Sequence, residues 1–212
     1  PVRSDVGRAT AQFALDLPFA HGARPLMTLQ VGLQDSGAQY RNRFIPYTLQ
    51  PSLLEWLQRA IGKGDIPLGG FIYRGSLLAN DHLNNTVQLF LQVRDAELAY
   101  QPEWPPLRDV RAAVWVDDGG LLAACPRARI YDRIALRDGE VRLQHDGELS
   151  WLTVDAKANA DNDDVLRLLR ETPLRQHIGN ALDRWHWRGP TQSHVELGIA
   201  VSGSRPLEVK VD

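Results

Sequence analysis

Apolar side chains recur at every second position over most of this chain, a period that builds strands and excludes helices wherever it holds. Ala9, Ala11, Phe13, Leu15 and Leu17 alternate with polar or small residues. After a turn at His21-Gly22 the pattern resumes in Met27, Leu29, Val31 and Leu33, so residues 8–34 read as a hairpin. Residues 66–78 read as a further strand. Val87, Leu89, Leu91 and Val93 then occupy odd positions, and Ala96, Leu98 and Tyr100 even ones. The phase flips at Arg94-Asp95, where a β-bulge would keep both halves facing the same side. Trp104-Pro105-Pro106 breaks the chain. Val110, Ala112, Val114 and Val116 resume the alternation, Asp118-Gly119-Gly120 turns, and 121–124 returns. Shorter strands are predicted near 128–136 and 140–145, with Asp138-Gly139 as the turn between them. Leu152, Val154, Ala156, Ala158 and Ala160 alternate again, as do Val195, Leu197, Ile199 and Val201, and Leu207, Val209 and Val211 begin a last strand.

Helical spacing is rare. Leu53, Leu54, Leu57 and Ile61 predict a helix over 52–61, with Ser52 and Gly62 as its caps. Residues 163–170 and 174–183 read as helices meeting at Pro173. The first and last of these helices are each followed by a glycine-containing strand, at Gly69-Gly70 and Gly189. That weak echo fits a modular array, with 1–84 and 85–212 as two modules within a single segment. The chain starts at Pro1 in strand-like sequence and reads as a piece of a longer protein.

Function classes are bounded mainly by what is missing. A net charge of −2 offers no basic field for nucleic acid or an anionic membrane surface. No apolar run approaches the ~20 residues of a spanning helix. Cys125 is the single cysteine, which leaves no internal disulfide and no cysteine-based zinc site. It reads as a small buried apolar residue. The six histidines form no compact ligand spacing, and no nucleophile elbow, phosphate loop or dinucleotide fingerprint occurs. Ser193 and His194 are adjacent on a strand and point to opposite faces, which defeats a triad. Asp161, Asp163 and Asp164 miss the calcium-loop pattern and read as a helix start. Trp185 and Trp187 read as core aromatics, with a pair gripping a ligand or an interface as the alternative, and Trp104 as a corner plug. No enzyme, metal or cofactor is expected.

The residues therefore predict a mainly β chain with a few short helices. Two architectures fit: a closed β-sandwich with its apolar faces packed together, and a long, curved antiparallel sheet bent into an open trough.

The stretch from Val93 to Val116 resembles the central region of YhdP-like proteins, members of the AsmA-like group that also includes TamB. The shared order is a strand ending in Tyr100-Gln-Pro-x-Trp104-Pro, then Leu107-x-Asp-Val, then a second alternating strand. Upstream, Pro51-Ser-Leu-Leu-x-Trp-Leu with Gly69-Gly70-Phe71 and Arg74-Gly75 is similar to the helix-then-strand element of that region. Downstream, 161–169 followed by Thr172-Pro-Leu174 is similar to its short helix and Pro-Leu segment. The likeness covers about residues 40–211 and rests on the ordered set of motifs. It implies a taco-like repeating β-groove in the periplasm of a Gram-negative bacterium. The full-length protein would be anchored in the inner membrane outside this chain, with phospholipid acyl chains and neighbouring modules of the same chain as partners. The resemblance supplies no catalytic residues. The non-catalytic alternative is a β-sandwich scaffold or interaction module of the cell envelope.

If a groove is present, alternation nominates its lining. Val87, Leu89, Leu91, Val93, Val195, Leu197, Ile199 and Val201 come first, followed by Phe13, Leu15, Leu29, Val31, Leu152 and Val154.

Overall fold

Among the described residues, eleven strands follow one another across a single sheet in their order along the chain, each antiparallel to the next. The computed structural model describes residues 2–4, 7–18, 24–40, 55, 58–76, 85–146, 149–175, 188–202 and 208–211. The strands are β1 (Val2–Ser4), β2 (Gly7–Asp16), β3 (Leu26–Gly37), β4 (Asp65–Ser76), β5 (Thr86–Leu98) and β6 (Leu107–Asp117), then β7 (Gly120–Ile130), β8 (Ile134–Asp146), β9 (Leu149–Asp161), β10 (Pro190–Ser202) and β11 (Glu208–Val211). Among the described residues, a 3-10 turn, Ala38–Tyr40, follows β3, residues 55 and 58–60 are helical as expected within 52–61, and an α-helix, α1 (Asn162–Glu171), follows β9. The sheet is open and curled. Among the described residues no large side chain is fully buried, as the interior of a closed sandwich would require.

A stepped line of irregularities crosses β3 to β8. Asp35, Asp95, Asp109 and Asp138 all lie mid-strand with φ between 50° and 53°. Register shifts separate Val93 from Ala96, Arg108 from Arg111 and Arg137 from Glu140. In β7 the ladder slips between Ala124 and Arg127, around Pro126, which lacks the N–H a regular ladder would use. Each extra residue bends its strand and restores the facing of the apolar side chains beyond it. Aspartate tolerates the left-handed conformation better than most residues. Three of the four aspartates also meet a cation on the adjacent strand: Asp35 with Arg8 at 2.7 Å, Asp109 with Arg129 at 3.4 Å, and Asp138 with Lys157 at 3.1 Å.

Beyond this line the strands end in small, tightly packed residues. Ala96, Val110 and Ala128 form a buried cluster against Val93, Leu107, Ala112, Cys125 and Leu136. Ala60 is fully buried beside it, and the segment after it runs along β5 as an extra edge. Gly62 N–H donates to the Glu97 carbonyl, Glu97 N–H to Lys63 and Ala99 N–H to Ala60. Helix α1 closes the same end through buried Leu166. Its side is fixed by Tyr131, whose hydroxyl donates to Glu171 at 2.8 Å while the Arg167 guanidinium lies 4.1 Å from its ring centre.

Several expectations change. Asp138-Gly139 is a bulge inside one continuous strand. The turn between β7 and β8 lies at 131–133, so the predicted strand 128–136 straddles it. Asp-Gly is a turn dipeptide only where the chain reverses; here the ladder to β7 continues on both sides of it. Gly62 is not a simple helix cap, since Ile61 already bridges to Leu98. Asp161 occupies the N-cap position of α1 without a side-chain capping bond, leaving Asp163 and Asp164 in the first turn to meet the helix dipole. The bulge at Arg94-Asp95, the hairpin of β2 and β3 and the helix beginning near 163 stand as read. The turn at His21-Gly22, the cap Ser52, the helix over 174–183 beyond its first two residues, and Trp185 and Trp187 lie outside the described residues.

Candidate functional site

Register turns the alternation of single strands into rows that cross the sheet. Ala11, Val31, Phe71, Leu89, Val116, Leu121, Leu143, Leu152 and Ile199 are successive ladder partners from β2 to β10. A second row, two residues along, joins Ala9, Leu33, Gly69, Leu91, Val114, Ala123, Val141, Val154 and Leu197. Ladder partners share a face, so both rows lie on the same side. Neither contains a charged or hydrogen-bonding side chain. At ~4.8 Å between strands each row runs roughly 40 Å. Most of these side chains are half-buried, touching their row neighbours while keeping part of their surface in water.

The nominated residues sort by row. Val31, Leu89, Leu152 and Ile199 fall in the first row, and Leu91, Val154 and Leu197 in the second. Phe13, Leu29 and Val87 extend a shorter row through Tyr73, and Leu15 pairs with Met27 beyond it. Val93, opposite Ala112, and Val195, opposite Ala156, lie at the bulge line. Phe13 and Leu15 are well exposed, because their far neighbour β1 is only three residues long and pairs no further than Ala9. Val201 belongs to β10, and its side chain is outside the description. The nomination omitted the larger row members Leu33, Phe71, Val114, Val116, Leu121, Val141 and Leu143, and the small ones Ala9, Ala11, Gly69 and Ala123. Their own alternation was the available signal, hidden in β8 by reading a turn at Asp138-Gly139.

The opposite face is polar. Gln12, Gln30, Ile72, Gln88 and Asp117 are ladder partners there. Apolar residues interrupt it, Leu68 and Ile72 singly and an aromatic group of Phe90 opposite Trp115, with ring centres 5.5 Å apart, and Leu122 opposite Trp115. A concavity of about 690 Å³ opens beside that aromatic group.

Polar clusters elsewhere tie strands together. His194 Nε2 lies 2.8 Å from Asp155 Oδ2, and Glu196 is close enough for the three ligand atoms to fall within 4.8 Å of one another. These residues could hold a divalent cation only by giving up that hydrogen bond and the ion pair of Glu196 with Lys210. Ser193 lies opposite Ala158 and faces away from His194. His145 bolts two hairpin ends together. Its Nε2–H donates to the Gly119 carbonyl at 2.9 Å, and its Nδ1 pairs with the Ser150 hydroxyl at 2.7 Å. Burial pushes the half-buried Cys125 thiol upward, and its Sγ–H donates to the Arg127 carbonyl. No described helix is long and apolar enough to cross a membrane.

The family model described as YhdP protein matches residues 5–212. The intermembrane phospholipid transporter YhdP of Escherichia coli strain K12 is 24% identical over 189 residues. That match covers 84% of this chain and 14% of the relative's length, so the chain spans a small part of the curated protein it matches. No solved structure matches.

Proposed function

The chain belongs to the YhdP family, and on that premise we propose that it is one segment of a lipid-conducting groove whose apolar sheet face holds phospholipid acyl chains in transit between two membranes. The supporting observation is the pair of uninterrupted apolar rows, which cross nine strands without a polar anchor. The name of the matched relative, an intermembrane phospholipid transporter, supplies the cargo class.

The physics suits transit. Each CH₂ moved from water onto an apolar lining gains about 0.8 kcal/mol. Charged headgroups stay in water at the rim and avoid the cost of burial. Because the rows repeat similar aliphatic groups at each strand, a chain sliding along them exchanges equivalent contacts, which gives a flat path instead of a tight site. The bulges at Asp95, Asp109 and Asp138 run parallel to the rows and bend their strands across them, the curvature a trough needs. The short edge strands β1 and β11 are where neighbouring modules of a longer chain would continue the sheet. In this reading the chain works in the periplasm of a Gram-negative cell, held by an inner-membrane anchor elsewhere in the full-length protein, and performs no catalysis.

The test is mass spectrometry of lipid carried by the purified chain after expression in a bacterial envelope, with lipid exchange measured against labelled vesicles. Bound phospholipid that exchanges supports the groove. A chain that folds, carries no phospholipid and takes none from vesicles is an interaction scaffold.

A further inference from the structure

The concavity on the polar face has a composition unlike the rows behind it. Its floor is two glycines directly opposite each other, Gly32 of β3 and Gly70 of β4, which leave backbone exposed where side chains would otherwise stand. A Cβ placed on Gly70 would meet nothing within 4 Å. One wall is aromatic: Trp115, 41% exposed, leans on Phe90 with the rings tilted 43° apart. The other walls mix the apolar side chain of Ile72 with amides and a hydroxyl, from Gln12, Gln30, Gln88 and Thr10. Gln88 is held in place, since its Nε2 donates to Asp117 Oδ1 at 3.0 Å, leaving Gln88 Oε1 free to face a ligand donor. Among the described residues, Asp117 is the only charged one lining the site, and no Lys, Arg or His does so.

We propose that this depression binds a neutral carbohydrate, with one pyranose ring stacked on Trp115 and its hydroxyls bonded by the glutamine amides and Asp117. The absence of any cation in the lining disfavours phosphates and carboxylates, so a lipid headgroup or nucleic acid is the wrong chemistry. An apolar peptide would cover the amides of Gln12 and Gln30 without offering them partners. A sugar offers an apolar C–H face to the indole and many hydroxyls to the rim, and the concavity has the size and mixed lining of a small-ligand site. Most of the lining residues, from Thr10 to Asp117, have ladder partners on the face opposite the apolar rows, although Val31, Phe71, Leu89 and Val116 of the first row also border the depression.

Titrating the 212-residue chain with chitotetraose, cellotetraose and the anionic tetragalacturonate, by calorimetry and tryptophan emission, tests this. At least one neutral tetrasaccharide binds saturably, and tetragalacturonate binds about tenfold more weakly or not at all. Trp115→Ala lowers affinity by about tenfold and Trp115→Phe by less. Gly70→Val, whose Cβ meets nothing within 4 Å, is expected to keep the fold and to abolish binding by filling the floor. The proposal is overturned if neither neutral sugar binds, if tetragalacturonate binds as well as they do, or if Gly70→Val leaves the affinity unchanged. None of these results depends on whether the other face carries lipid.

Discussion

Lys157 Nζ on β9 lies 3.1 Å from Asp138 Oδ2 on β8, and Asp138 holds φ at 51° in the middle of its strand. The ion pair is two-thirds exposed on both sides and contributes at most about 1 kcal/mol. The backbone conformation is the stronger constraint, because left-handed φ costs an ordinary L-residue ~1–2 kcal/mol and a β-branched one more. Asp138→Gly is therefore expected within about 1 kcal/mol of the parent, and Asp138→Val to lose about 2 kcal/mol or more. Urea unfolding of the two variants checks this. A neutral valine would mean that the bulge is not enforced and the sheet can straighten there.

Adjacent glycines on β4 face opposite sides and predict opposite outcomes. A Cβ on Gly69 would sit 3.1 Å from Leu91 Cδ2 and 3.4 Å from Leu33 Cβ, inside the second apolar row. Gly69→Val is expected to destabilise by ~1–3 kcal/mol through overpacking. At Gly70 an added Cβ meets nothing within 4 Å, and Gly70→Val adds a strand-favouring residue, for an expected gain of ~0.5–1 kcal/mol. Thermal and urea unfolding of this pair reads both signs. Equal effects would contradict the assignment of the two positions to separate faces.

The strands were legible because apolar residues keep period two even through the bulges. The phase slips from odd to even between Val93 and Ala96, and from even to odd between Leu136 and Val141. Both slips mark an extra residue. Only the first was read as a bulge, because Asp138-Gly139 carries the local chemistry of a turn and nothing local says that the ladder continues. Which strands pair, and hence that Phe71, Leu89 and Val116 are neighbours, depends on register across the whole meander and is absent from any one window. Nor could alternation within one strand settle an open sheet against a sandwich, since both require one apolar face. The polar-face depression was missed for a related reason. Phe90 and Trp115 sit at polar-phase positions of their strands, a local exception that acquires meaning only when register brings the two together above Gly70.

If the rows carry acyl chains, a charge in them should expel lipid while the same charge one residue away should not. Leu91→Asp and Ile199→Asp are expected to lower bound phospholipid by about tenfold, the loss of contact with roughly two CH₂ groups. Gln92→Asp, exposed on the other face, should leave lipid content unchanged. Lipid-to-protein ratio by mass spectrometry, on variants whose far-ultraviolet dichroism matches the parent, gives the comparison. Retention of lipid by both row variants would remove these residues from the lining.

At alkaline pH the weak point should be the junction that holds α1. Burial, and then the hydrogen bond that Tyr131 donates to the Glu171 carboxylate, push the Tyr131 hydroxyl up to about 12. Burial likewise pushes Tyr100 up to about 12, with the Tyr131 charge adding to it. Between about pH 10 and 12 the unfolded chain releases these protons while the native chain keeps them, so the native state binds more protons and stability falls as pH rises. The Tyr131→Phe variant lacks one of these groups and relieves the other, so its stability should fall less steeply across that window, although it starts lower for want of the bond to Glu171. Glu171 works in the opposite range. The hydrogen bond from Arg167, then that from Tyr131, holds its carboxyl below the usual value, so its contribution is present above the ordinary carboxylate range and is lost as pH falls through the lowered one. Urea midpoints of the parent and Tyr131→Phe at a series of pH values, with tyrosinate absorbance followed in parallel, test the alkaline limb. Parallel curves above pH 10 would show that Tyr131 ionises as freely in the folded chain as in the unfolded one, and that α1 is held by Leu166 instead.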